Sequence, residues 1–81
     1  MFTVDYMSSD LVLFTLMNKN EIGKYIVGRR DVLRIAQGRL AELSGVSVHT
    51  LSNLETGNGN VTLGTLLKVT EILGLKVTVG V

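Results

Sequence analysis

Residues 37–57 read QGRLAELSGVSVHTLSNLETG. In the first part, apolar Leu40, small Ala41 and apolar Leu43 run into Ser44-Gly45-Val46. A second segment opens at Ser47, carries Leu51 and Leu54 three residues apart, and stops at Gly57. Two short helices crossing steeply, with a small residue at the crossing and a glycine in the tight turn, make a helix-turn-helix. The second helix of such a unit is shaped to enter the major groove of DNA.

Packing alone accounts for part of this stretch. Ala41 stands where the two helices pass closest, Gly45 takes a positive φ cheaply, and Val46, Leu51 and Leu54 fill the wedge between the helices. The residues left over on the second helix are Val48, His49, Ser52 and Asn53, and these are the candidate base-contacting positions. Asn53 suits a bidentate contact to adenine, Val48 a thymine methyl, and His49 a guanine or a phosphate. Gln37 stands at the start of the first helix, where unpaired N–H groups and partial positive charge favour an anion. With Arg39, Thr56 and Asn58 it forms the candidate phosphate-contacting set, which positions a protein on DNA without reading sequence.

Outward from this motif the chain divides into three parts. Residues 17–74 read as the domain proper. Ile22, Ile26, Arg30 and Leu33 share a face of a first helix running from Asn20 to about Leu33, with Tyr25 beside it. The helices of the motif cover Gln37 to Ser44 and Val48 to Glu55, the second behind the cap Ser47. GNGN at 57–60 is a loop by composition. Thr62 then caps a fourth helix whose apolar residues Leu63, Leu66, Leu67, Ile72 and Leu73 lie on or beside one face, and Gly74 ends it. From residue 75 the period changes: Leu75, Val77, Val79 and Val81 alternate with Lys76, Thr78 and Gly80, which reads as a β-strand at 75–81. A lone strand must pair with something. Its partner is either the same strand of a second copy, the favoured expectation, or the alternating segment Phe2–Tyr6. Residues 1–16 form an N-terminal arm or an upstream-translated extension, with Ser8-Ser9-Asp10 as a turn or cap before the apolar LVLFTLM.

Composition narrows the functional classes. A chain of 81 residues is one small domain, for which self-association is a common source of added stability. It has no cysteine and one histidine, which excludes disulfides and the common structural zinc sites. The hydrophobic content of 46% is high, yet no apolar run approaches the roughly 20 residues needed to span a bilayer. No positive charge precedes Lys19, so a secretory signal is not expected and the chain reads as cytoplasmic. The net charge is only +1, but Lys19, Lys24, Arg29, Arg30, Arg34 and Arg39 cluster against Glu21 and Asp31. Such a stretch is an ordinary solvated helix face by patterning alone. Directly before a helix-turn-helix it becomes a phosphate-facing surface. Ser47, His49 and Ser52 offer a nucleophile and a base, but no suitably placed carboxylate orients the imidazole. With no phosphate loop, catalytic residue, metal cluster or cofactor motif, the chain does not read as an enzyme.

Gln37, Leu40-Ala41, Ser44-Gly45-Val46-Ser47, Thr50-Leu51-Ser52, Leu54-Glu55 and Gly57 together resemble the phage repressor/Cro-type (Xre-like) DNA-binding domain, from about Glu21 to Leu75. The resemblance implies an all-α fold: a four-helix repressor-like domain containing the helix-turn-helix, followed here by a C-terminal strand that pairs in a dimer. It implies that Gln37 binds phosphate and that Val48, His49 and Asn53 face bases. It also implies that Arg30 pairs with Glu55, tying the first helix to the end of the third. Three positions depart from the family pattern: Arg34 stands where glycine is usual, Ala36 where a Ser or Thr cap is usual, and Val48 where Arg or Lys is frequent. The ending LGLKVTVGV is similar to the subgroup of HipB-like antitoxins and regulators. In that subgroup the terminal strand pairs across a two-fold axis and the protein represses its own operon. The resemblance therefore implies a homodimeric repressor on a palindromic operator, or an antitoxin whose main role is neutralising a HipA-like kinase toxin.

Overall fold

The computed structural model describes residues 2–6 and 18–79. Their elements follow in the order β1 (Phe2–Tyr6), α1 (Lys19–Val32), α2 (Gln37–Ser44), α3 (Val48–Thr56), α4 (Leu63–Ile72) and β2 (Leu75–Val79). The expected turn or cap at Ser8-Ser9-Asp10, the LVLFTLM segment and Val81 lie outside the described residues.

Helix starts are set by side-chain caps. Asn18 precedes α1, and its side chain accepts from the Glu21 amide at 2.9 Å. The helix therefore begins at Lys19, slightly ahead of the expected Asn20. Ser47 and Thr62 cap α3 and α4 in the same way, through the amides of Thr50 and Thr65. Only α2 lacks such a bond, because the Ala36 side chain has no oxygen to offer. The connection before it contains Arg34 at φ +56, a left-handed conformation that strains any residue with a Cβ.

The core joins Ile22 and Ile26 of α1, Leu40 and Ala41 of α2, Leu51 and Leu54 of α3, Leu66, Val69 and Leu73 along α4 and its cap, and Leu75 of β2. Two expected faces are corrected here. Leu33 caps the end of α1 and is 39% exposed, because the helix stops one residue before it. On α4 the buried positions are Leu66, Val69, Thr70 and Leu73, at helical spacing, whereas Leu63, Leu67 and Ile72 are exposed. Val69 and Thr70 were concealed in the sequence by the more apolar leucines beside them.

α1 approaches α3 closely enough to require a glycine. A Cβ on Gly23 would lie 2.7 Å from the carbonyl oxygen of Leu54 and closer still to that of Glu55. The inward face of α1 is thus Ile22, Gly23 and Ile26, continued a turn later by arginines rather than by hydrophobic residues.

β2 pairs antiparallel with β1 of the same chain, with Phe2 opposite Val79 and Tyr6 opposite Leu75. Of the two expected partners, this is the intrachain one. Alternating apolar residues in both segments make them compatible on one pleated face. Among the described residues the sheet has two strands, each paired along one edge.

Candidate nucleic-acid interface

The turn between α2 and α3 is built by backbone bonds and one cap. Gly45 sits at φ +72, which turns the chain so that the Val46 amide reaches back to the Ala41 carbonyl at 3.0 Å. Ser47 then starts α3, accepting from the Thr50 amide at 3.0 Å and donating to its hydroxyl at 2.8 Å. Leu51, Leu54 and Glu55 are buried on one side of α3. Val48 and His49 are exposed on the other, and Ser52 and Asn53 are half-buried beside them. The Asn53 amide nitrogen lies 3.4 Å from Nε2 of His49, one turn earlier, so these two polar groups form one surface unit.

The candidate phosphate contacts differ in how free they are. At α2 no side-chain cap takes the first N–H groups. Gln37 itself donates from Nε2 to Oε1 of Glu55 at 2.8 Å, which leaves its second amide proton. Arg39 forms an exposed pair with Glu42 at 2.8 Å. Such a pair contributes about 0–1 kcal/mol and exchanges readily for a phosphate. The Thr56 hydroxyl donates to the Ser52 carbonyl at 2.8 Å, so its single proton is already committed. Asn58 donates in turn to the Thr56 hydroxyl at 3.0 Å.

Behind this surface lies a buried polar cluster. Arg30 Nε donates to Oε2 of Glu55 at 2.8 Å, and the two side chains are only 17% and 5% exposed. A second Arg30 nitrogen donates to the Ile35 carbonyl at 3.0 Å, fixing the segment that leads into α2. Glu55 therefore holds Arg30 of α1 and Gln37 of α2 from its own place on α3. Arg29 turns inward too, its Nε donating to the Leu73 carbonyl at the end of α4 at 3.0 Å. These two arginines do not belong to a free phosphate-facing surface, which reduces the basic stretch to Lys19, Lys24, Arg34 and Arg39. Gly23 and Arg29 carry structural roles that sequence reading missed. A glycine within a helix is unfavourable by about 1 kcal/mol and so marks a special position. That signal fails to separate Gly23 from Gly28, which has nothing within 4 Å of its would-be Cβ.

A family model described as helix-turn-helix, of the Cro/C1 type, matches residues 29–79, more than half of the chain. The chain belongs to this family. No curated protein matches it. As a helix-turn-helix protein it carries the DNA-binding domain of a transcription regulator. Among the described residues no group of His, Asp and Glu is placed to hold a metal ion, and no helix is long and apolar enough to cross a membrane.

Proposed function

We propose that this chain is a sequence-specific repressor that binds a palindromic operator as a homodimer and regulates its own operon in the manner of a HipB-like antitoxin. The observation that carries this reading is the division of α3. Leu51, Leu54 and Glu55 commit its back to the fold, while Val48 and His49 are exposed on the other side with Ser52 and Asn53 half-buried beside them. Dimerisation is supported by the edge of β2 that no described strand covers and by Leu67, exposed beside Leu75 and Val77 in a groove between α4 and β2. An open edge invites a second strand, and Leu75, Val77, Val79 and Val81 are the residues we assign to that pairing. A dimer would read half-sites about one helical turn apart.

The test is fluorescence anisotropy with the upstream DNA of the chain's own gene against random duplex, across a salt series. Specific retention with a steep salt slope is expected. His49→Ala and Asn53→Ala should change sequence preference without lowering thermal stability. Unaltered preference in both would remove these residues from the reading face. Sedimentation as a monomer at micromolar concentration would remove the dimer.

A second reading, a protein-binding antitoxin, is favoured by Val32, 69% exposed at the end of α1 next to exposed Leu33. Tight complex formation with a HipA-like kinase encoded nearby, together with weak DNA binding, would select it. Neither reading includes catalysis: among the described residues His49 faces the Asn53 amide rather than a carboxylate that would orient it as a base. Both place the protein in the cytoplasm, where its DNA or toxin partner resides.

A further inference from the structure

The hydrophobic core is sealed unevenly. Of its ten buried apolar residues, seven are at most 3% exposed, and the other three are Ile22 at 8%, Leu54 at 6% and Leu66 at 6%. All three line one groove, a cavity of about 180 Å³ where the start of α1, the end of α3, the 57–60 loop and the start of α4 meet. Val61 and Leu63 complete its apolar wall. An apolar cavity of about 150 Å³ holds a benzene ring, so this one takes a single ring with a short substituent.

Lys19 also lines this groove. Its Nζ donates to the Gly59 carbonyl at 3.0 Å and to Oδ1 of Asn60 at 3.2 Å, both neutral acceptors. An ammonium has a third proton to give. The ion pairs among the described residues are Arg30–Glu55 and Arg39–Glu42, so the charge of Lys19 has no carboxylate opposite it. An opening onto the core and an unneutralised cation in the same groove together select an amphiphilic anion.

We propose that this groove binds a small monocyclic aromatic carboxylate, its ring against Ile22, Leu54 and Leu66 and its carboxylate on Lys19. Asn53 of α3 and Asn58 border the same groove. Occupancy therefore places negative charge beside the surface that approaches DNA, and the ligand weakens DNA binding. That consequence rests on the DNA-binding reading, whereas occupancy of the groove does not.

The test is a titration of the ¹⁵N-labelled full chain with phenylacetate. Saturable shifts confined to amides around the groove are expected, with a dissociation constant of about 1 mM for a ligand of this size. The neutral analogue 2-phenylethanol should bind about two- to fivefold more weakly, the factor that one exposed ion pair contributes. Lys19→Gln should lower phenylacetate binding to the level of the alcohol, and Lys19→Arg should retain it. Shifts that never saturate, or equal affinity for acid and alcohol, overturn the site. The acid–alcohol comparison uses the unaltered chain and decides the matter even if Lys19→Gln does not fold. In a parallel anisotropy measurement, phenylacetate but not the alcohol should weaken DNA binding. Unchanged DNA affinity at proven occupancy overturns the regulatory consequence. Absence of DNA binding in the ligand-free protein overturns the DNA reading and leaves the site intact.

Discussion

Gly23→Ala asks whether the contact between α1 and α3 is as close as described. The new methyl carbon would sit 2.7 Å from the Leu54 carbonyl oxygen and 2.7 Å from the Glu55 carbonyl carbon, well inside van der Waals contact. These are backbone atoms of a helix and cannot rotate away, so α1 must move off α3. Overpacking of this kind costs about 1–3 kcal/mol, and an immovable backbone places it at the upper end. Replacing a helical glycine by alanine returns about 1 kcal/mol of propensity. The net is a loss of about 2 kcal/mol, or a melting point lower by about 8–16 °C in a domain of this size. Gly28→Ala is the control: it lies on the same helix with nothing within 4 Å of the added carbon. Only the propensity gain applies there, so it should stabilise by about 0.5–1 kcal/mol. Urea unfolding followed by circular dichroism at constant m measures both. A Gly23→Ala protein as stable as Gly28→Ala would refute the close approach.

The remaining predictions concern the entry to α2 and the buried cluster. Arg34→Gly should stabilise by about 0.5–1 kcal/mol, since relief of left-handed strain at φ +56 exceeds the entropy that glycine adds to the unfolded chain; an unchanged urea midpoint would contradict this. Ala36→Ser supplies the missing oxygen at the N-cap and should raise stability by about 1 kcal/mol, read from the same unfolding curves. Glu55→Ala strands Arg30 and Gln37 together and should cost about 3–5 kcal/mol, with thermal unfolding as the assay and a loss below 1 kcal/mol as the contrary result.

The four helices were legible because their signals are local. Ser47, Thr62, Gly45 and Gly57 mark ends through bonds to residues a turn away, and Leu40, Leu51 and Leu54 mark faces through spacing. What stayed hidden depends on elements distant in sequence. Gly23 matters only because α3 crosses there, and Arg29 only because α4 ends beside it. The α4 face was misplaced because Leu63 and Leu67 are as hydrophobic as Leu66, and only the packing partners decide which of them is buried. At the candidate interface, position on α3 followed from spacing. The use of Gln37 as a donor to Glu55, and the commitment of the Thr56 proton, required three dimensions.

The Glu55 carboxylate, shared by Arg30 and Gln37, has a genetic consequence. Groups joined in one network lose their stabilisation together, so substitutions at these three positions will not add. Once Glu55 is lost, a second change at Arg30 forfeits only its bond to the Ile35 carbonyl, and a lineage that passes through one such loss gains latitude at the others. The outward residues of α3 share no partner with this cluster among their described hydrogen bonds. Selection can therefore revise what Val48, His49, Ser52 and Asn53 recognise while the network beneath them is inherited as a block.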